Sequence, residues 1–175
     1  MFEGAKCGPE TCAAPGIIVN AKPPEVLFYH LERQPLERVL PNLLEKTLQR
    51  GWRAVVQLGS EERLDALDIA LWTYSEDSFL PHGSKKSGFP SEQPVYLTTG
   101  ADAPNGAGVG AGVRFFVDGA VAGTFDGAER FVYLFDGRDQ EALTIARGQW
   151  KAAKAAGCTV TYWQESESGR WEKKA

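Results

Sequence analysis

Apolar positions recur along the chain with two periods, and the switching between them sets the expected order of elements. Val26-Leu27-Phe28-Tyr29-His30-Leu31 is a short run of strand-forming residues. Pro35 then opens a helix at a position where a missing N–H costs little, and Leu36, Val39, Leu40, Leu43, Leu44 and Leu48 return at steps of three and four. Pro41 falls inside that pattern and is expected to kink the helix or break its first turn, while Gly51 ends it. Residues 53–58, centred on Ala54-Val55-Val56, read as a second strand. Ser60 suits an N-cap, and Glu61 and Glu62 suit the positive end of the next helix. Leu64, Leu67 and Leu71 form the buried stripe of that helix, and Tyr74 closes it. Residues 75–93, holding Pro81, Gly83, Gly88 and Pro90, read as a long loop of a kind usually functional or mobile.

Strands follow at 95–98, 113–117 and 130–135, the first two separated by a Gly-rich loop. A helix over 139–156 ends at Gly157, and the last strand covers 159–164. Residues 1–24, rich in Pro, Gly and Ala, read as a tail, with Ile17-Ile18-Val19 a weak candidate for an edge strand. One domain spans 25–164, and 165–175 read as a polar tail. Alternating strands and helices predict an α/β fold, a three-layer α/β/α sandwich with a mostly parallel sheet. Because no helix separates 95–98 from 113–117, those two strands are expected to be antiparallel neighbours, which makes the sheet mixed.

Composition narrows the function classes. The 175 residues are 43% hydrophobic and 24% charged, as in an ordinary globular domain. No run approaches the roughly 20 apolar residues of a membrane helix, and no basic, then apolar, leader opens the chain, so the expected location is cytoplasmic, with no membrane partner. A net charge of −4 argues against a protein whose main task is gripping phosphates, although it leaves room for a local basic patch. Cys7, Cys12 and Cys158 are too few and ill spaced for a disulfide framework, and Cys158 reads as a small buried apolar residue. Two histidines, His30 and His82, complete no metal-ligand spacing; neither a metal nor a cofactor is expected.

Catalytic motifs are similarly weak. Gly106-Ala107-Gly108-Val109-Gly110-Ala111 matches G-x-G-x-x-[GA] in form. Dinucleotide binding requires a strand before such a loop and a helix after it; here a strand follows. No G-x-x-x-x-G-K-[ST] loop is present. His30 reads as a satisfied structural histidine, and His82 as a residue that either pins its loop or contacts a partner. Asp65 and Asp68, at i and i+3, read as a solvated face with Arg63 nearby rather than an acid–base pair.

Two surfaces stand out instead. On the last helix, Ala142, Ile145, Ala146, Gln149, Ala153 and Ala156 cluster on one side, while Arg147, Trp150, Lys151 and Lys154 fall on an adjoining one with Leu143 at its edge. An aromatic beside three cations suits an acidic peptide with an apolar end: Trp150 and Leu143 as wall, Arg147 as carboxylate fork, the lysines as steering charges. Equally, Trp150 covers core and the lysines complement the helix dipole. The second surface lies around Trp72, off the apolar stripe, followed by Phe79, Leu80, Pro81 and His82. Such aromatics serve as interface anchors or as core residues that pin a loop.

The run from Arg63 to Tyr74, with Leu67-Asp68-Ile69-Ala70-Leu71-Trp72 at its centre, and then Ser78-Phe79-Leu80-Pro81-His82-Gly83, resembles the signature of the chi subunits of bacterial DNA polymerase III. So do Phe28-Tyr29, Phe131-Val132-Tyr133 and Ala146-Arg147-Gly148-Gln149-Trp150-Lys151, and the likeness covers about residues 25–164. It implies a nucleotide-binding-like topology without a nucleotide site, and a non-catalytic subunit. It also implies binding of the acidic, Phe-ending tail of single-stranded-DNA-binding protein at Arg147, Trp150 and Lys151, with Leu143, Lys154 and Tyr162 beside them. The second partner is psi or an equivalent clamp-loader component, docked at Trp72, Phe79, Pro81 and His82; DNA is met only indirectly. The chain departs from the family's Ala-Arg-x-Arg-Tyr-Lys-type stretch: Trp150 keeps an aromatic wall but loses a hydroxyl, and Leu143 stands where the family can carry a cation. Two rival readings are a nucleotide-dependent α/β enzyme and a direct single-stranded-DNA binder stacking bases on Trp150.

Overall fold

Strand-forming runs and capped helices alternate as their periods predict. A computed structural model of the chain describes residues 22–100 and 111–175. In chain order the elements are β1 (Glu25–Leu31), α1 (Leu36–Gln49), β2 (Arg53–Gln57), α2 (Glu61–Thr73), β3 (His82–Ser84), β4 (Val95–Thr98), β5 (Ala111–Phe116), β6 (Arg130–Asp136), α3 (Gln140–Ala155), β7 (Thr159–Glu165) and β8 (Trp171–Lys173). The sheet order is β3-β4-β2-β5-β6-β1-β7-β8, parallel throughout except for the β7–β8 pair.

Side chains of each central strand alternate between two cores, as the two-residue strand period requires. Leu27 and Leu31 of β1, Phe115 of β5, and Val132 and Leu134 of β6 pack with Leu40 and Leu44 of α1 and Leu64, Leu67 and Leu71 of α2. Val26 and Phe28, Phe116, Phe131 and Tyr133 pack on the other side with Ala146 and Ala153 of α3. Three layers result, with α1 and α2 on one face and α3 on the other. Small residues let α3 approach the sheet closely, as expected of Ala146 and Ala153; Ala156, the C-cap, is exposed.

The helix ends follow local chemistry. Ser60 accepts a hydrogen bond from the Arg63 N–H, and Asp139 accepts from the N–H groups of Glu141 and Ala142. Gly51 and Gly157 take φ of +74° and +78°. Each closes a six-residue turn, with Trp52 N–H donating to the Thr47 carbonyl and Cys158 N–H to that of Ala153. Helix α1 runs through Pro41 without interruption; the expected break does not occur.

Three expectations are corrected. β4 and β5 are not antiparallel neighbours, since β2 lies between them and pairs parallel with both. The mixed character comes from β8 instead. Residues 75–93 are not all loop, because His82–Ser84 adds a strand beside β4, and residues 171–173 of the expected polar tail pair antiparallel with β7. Asp65 and Asp68 lie on a partly exposed face, as expected; the Arg63 guanidinium meets Asp118 at 3.0 Å and Glu37 at 3.6 Å, and Asp65 pairs with Lys86. The Gly106–Ala111 motif and the Ile17–Val19 run lie outside the described residues, save the backbone of Ala111 in β5.

Candidate protein-docking surfaces

The first surface forms where α3 crosses the sheet beside β7. Its floor is aromatic. Trp150 is half-buried, tilted against Phe28 at 5.3 Å and edge-on to Tyr162 at 6.0 Å. Tyr162 shares a 2.6 Å hydrogen bond with His30 Nδ1, and His30 stacks on Phe135 at 5.3 Å. His30 is thus the satisfied histidine its strand position suggested, with a further effect: it orients the Tyr162 ring. The same helix carries the cations. Arg147 and Lys151, one turn apart, are exposed, and Lys154 Nζ sits 5.0 Å from the Trp150 ring centre. Leu143, two turns before Trp150, is half-buried.

Burial raises the Tyr162 phenol above its usual range; Glu32 adds to the effect and Arg147 opposes it. The Arg147 charge therefore falls within reach of Tyr162. Glu32, exposed beside it, opposes an anionic ligand. Cys158 is half-buried against the α3 core rather than fully enclosed, and burial raises its thiol.

The second surface lies on α2 and the loop after it. Ile69, Trp72 and Phe79 are 65%, 56% and 69% exposed, and the Trp72 and Phe79 rings are 5.7 Å apart. Large apolar groups left adjacent and exposed are what a docking surface offers, and they do not pin the loop by burial. Pro81 is half-buried. His82 needs correction as a contact residue: its side chain is fully buried. Its Nδ1 lies 2.7 Å from the Leu80 carbonyl and its ring 4.9 Å from that of Trp72, so it supports the patch from beneath. Ile69 joins the patch without being among the expected docking residues; its position off the Leu64-Leu67-Leu71 stripe, on the side of Trp72, is the sequence signal for it.

A third concavity, of about 380 Å³, opens over the carboxyl ends of β1 and β6, where α/β proteins commonly hold nucleotides. Its charged lining comprises Glu37, Asp118, Asp136, Asp139 and Glu141 against Arg63 and Arg138. The N–H groups opening α3 serve Asp139, and those of Arg33 and Gln34 donate to Glu165 at 3.0 and 3.2 Å. At these two places carboxylates of the chain itself occupy positions that suit a phosphate; the start of α1, which also lines the cavity, has no side-chain cap.

In class, this is an α/β sandwich of nucleotide-binding-like topology whose crevice is lined by its own acids. The family model described as DNA polymerase III chi subunit, HolC, matches residues 24–161, and the chain belongs to that family. A relative from Rickettsia prowazekii (strain Madrid E), named "Probable DNA polymerase III subunit chi", is 33% identical over 82 residues, covering 47% of this chain and 50% of the relative. The chain spans about half the length of that curated relative.

Proposed function

We propose that the chain is a non-catalytic accessory subunit of DNA polymerase III that captures the acidic C-terminal tail of single-stranded-DNA-binding protein on α3 and β7. Its Ile69-Trp72-Phe79 patch docks psi or an equivalent clamp-loader component. The observation that carries the reading is a half-buried Trp150 packed edge-on to Tyr162, with Lys154 over the Trp150 ring and Arg147 and Lys151 exposed on the same helix. The guanidinium receives the terminal carboxylate, the floor receives the last aromatic side chain, and the lysines attract the acids before it. Tails displayed in number along coated DNA make a weak single contact sufficient.

Calorimetry with an acidic peptide ending in Phe tests this. Binding should be micromolar, weaken with salt, and fall tenfold or more in Arg147→Ala, corresponding to about 1.4 kcal/mol or above. Equal binding by wild type and variant removes Arg147 from the mechanism. The rival nucleotide enzyme has little support in a crevice with five carboxylates against two guanidiniums; saturable binding of a fluorescent nucleotide would revive it.

A further inference from the structure

A separate cavity of about 230 Å³ lies under the C-terminal half of α1, on the face of the sheet away from α3. Three cations line it: Lys46 and Arg50 from α1, and Arg130 from the start of β6. Both guanidiniums lie over the Trp52 ring, at 5.6 and 5.5 Å from its centre. Trp52 is held in place by Gly112, where an added Cβ would come within 2.6 Å of the indole. Glu25 pairs with Arg130, but no carboxylate pairs with Lys46 or Arg50 among the described residues. The negative end of α1 accounts for cations in its last turn. It does not account for Arg130 arriving from another element onto the same ring.

Tyr29 also lines the cavity, and from it an aromatic series continues across the sheet. The Tyr29 ring lies parallel to Trp163 at 6.3 Å and edge-on to Trp171 at 5.0 Å, and all three rings are partly exposed. Cations preset on an indole, followed by a cluster of aromatic rings, match a chain that alternates phosphates with flat bases. We propose that this face is a single-stranded nucleic-acid contact, with Lys46 and Arg50 on phosphates, Arg130 fixing the Trp52 ring from its pair with Glu25, and the Tyr29, Trp163 and Trp171 rings against the bases. It is independent of the peptide surface on α3 and lies on the opposite side of the sheet. The net charge of −4 limits overall affinity, not a confined patch of this kind.

The test is fluorescence anisotropy of a labelled oligothymidylate of about 15 nucleotides, within the usual site sizes, titrated with the full chain. With two phosphates neutralised, by Lys46 and Arg50, the log–log salt slope should be about −1.4, a loss of roughly sevenfold between about 50 and 200 mM salt. Lys46→Gln with Arg50→Gln, both exposed positions, should weaken binding tenfold or more, while Arg147→Ala with Lys151→Ala leaves it unchanged. Thermal melting of each variant controls for folding, and oligonucleotide quenching of tryptophan emission gives a second readout. The proposal fails if the wild type shows no binding at low salt, or if the Lys46/Arg50 variant binds as well as wild type. It fails too if loss occurs only in the Arg147/Lys151 variant, or if polyglutamate of matched length binds as tightly as the oligonucleotide.

Discussion

At the scale of single residues, Glu165 shows how one carboxylate can redirect a fold. Almost wholly buried at the end of β7, it accepts from the Gln34 side chain and from the N–H groups of Arg33 and Gln34. Burial works to raise its pKa, but these hydrogen bonds outweigh it and hold the carboxyl below the usual glutamate range. Because folding lowers this pKa, protonation favours the unfolded chain. The contribution is complete above about pH 4.5 and fades as pH falls through the lower folded value. Glu165→Ala leaves buried donors without an acceptor and should cost about 1–3 kcal/mol at neutral pH, with a smaller difference from wild type in acid; urea melts at two pH values measure both. Arg147 represents the opposite type of residue. It is exposed, so its substitution should alter tail binding and leave the melting transition in place.

At the scale of elements, the helix ends make the sharpest predictions. Gly51→Ala and Gly157→Ala force a Cβ into left-handed backbone and should each cost about 1–2 kcal/mol; Ser60→Ala should cost about 1 kcal/mol. Denaturant titration checks all three. These ends were legible because cap chemistry is local. The Leu64-Leu67-Leu71 stripe, the two Gly stops and the alternating strands were legible for the same reason. β3 was not, because His82-Gly83-Ser84 carries no apolar alternation and owes its strand geometry to neighbouring β4. β8 was equally hidden, as Trp171-Glu172-Lys173 is short and polar. The order of β4 and β5 depends on β2 inserting between them, and no local pattern reports an insertion of that kind. Of the candidate sites, the helical grouping of Arg147, Trp150 and Lys151 was readable from angular spacing. The Tyr162–His30 contact and the Trp52 cavity were not, since each joins residues far apart in sequence.

At the scale of the whole molecule, the exposed Trp72 and Phe79 lie on α2 and the loop after it and Trp150 on α3, in different layers, so the two proposed docking surfaces do not overlap. Sites this well separated should contribute additively. Phe79→Ala, at a largely exposed position, should shift stability by no more than about 0.5 kcal/mol yet cost about 2 kcal/mol or more in partner docking, without changing the affinity for the acidic peptide. Calorimetry on the same sample reads both. The two ends of the sheet have a consequence of their own. β3 and β8 are only three residues each, whereas β7, just inside, has seven. A long bare strand is a template on which another chain can grow. Stripping residues 171–175 would uncover that template, and light scattering during refolding should then report self-association that the intact chain avoids.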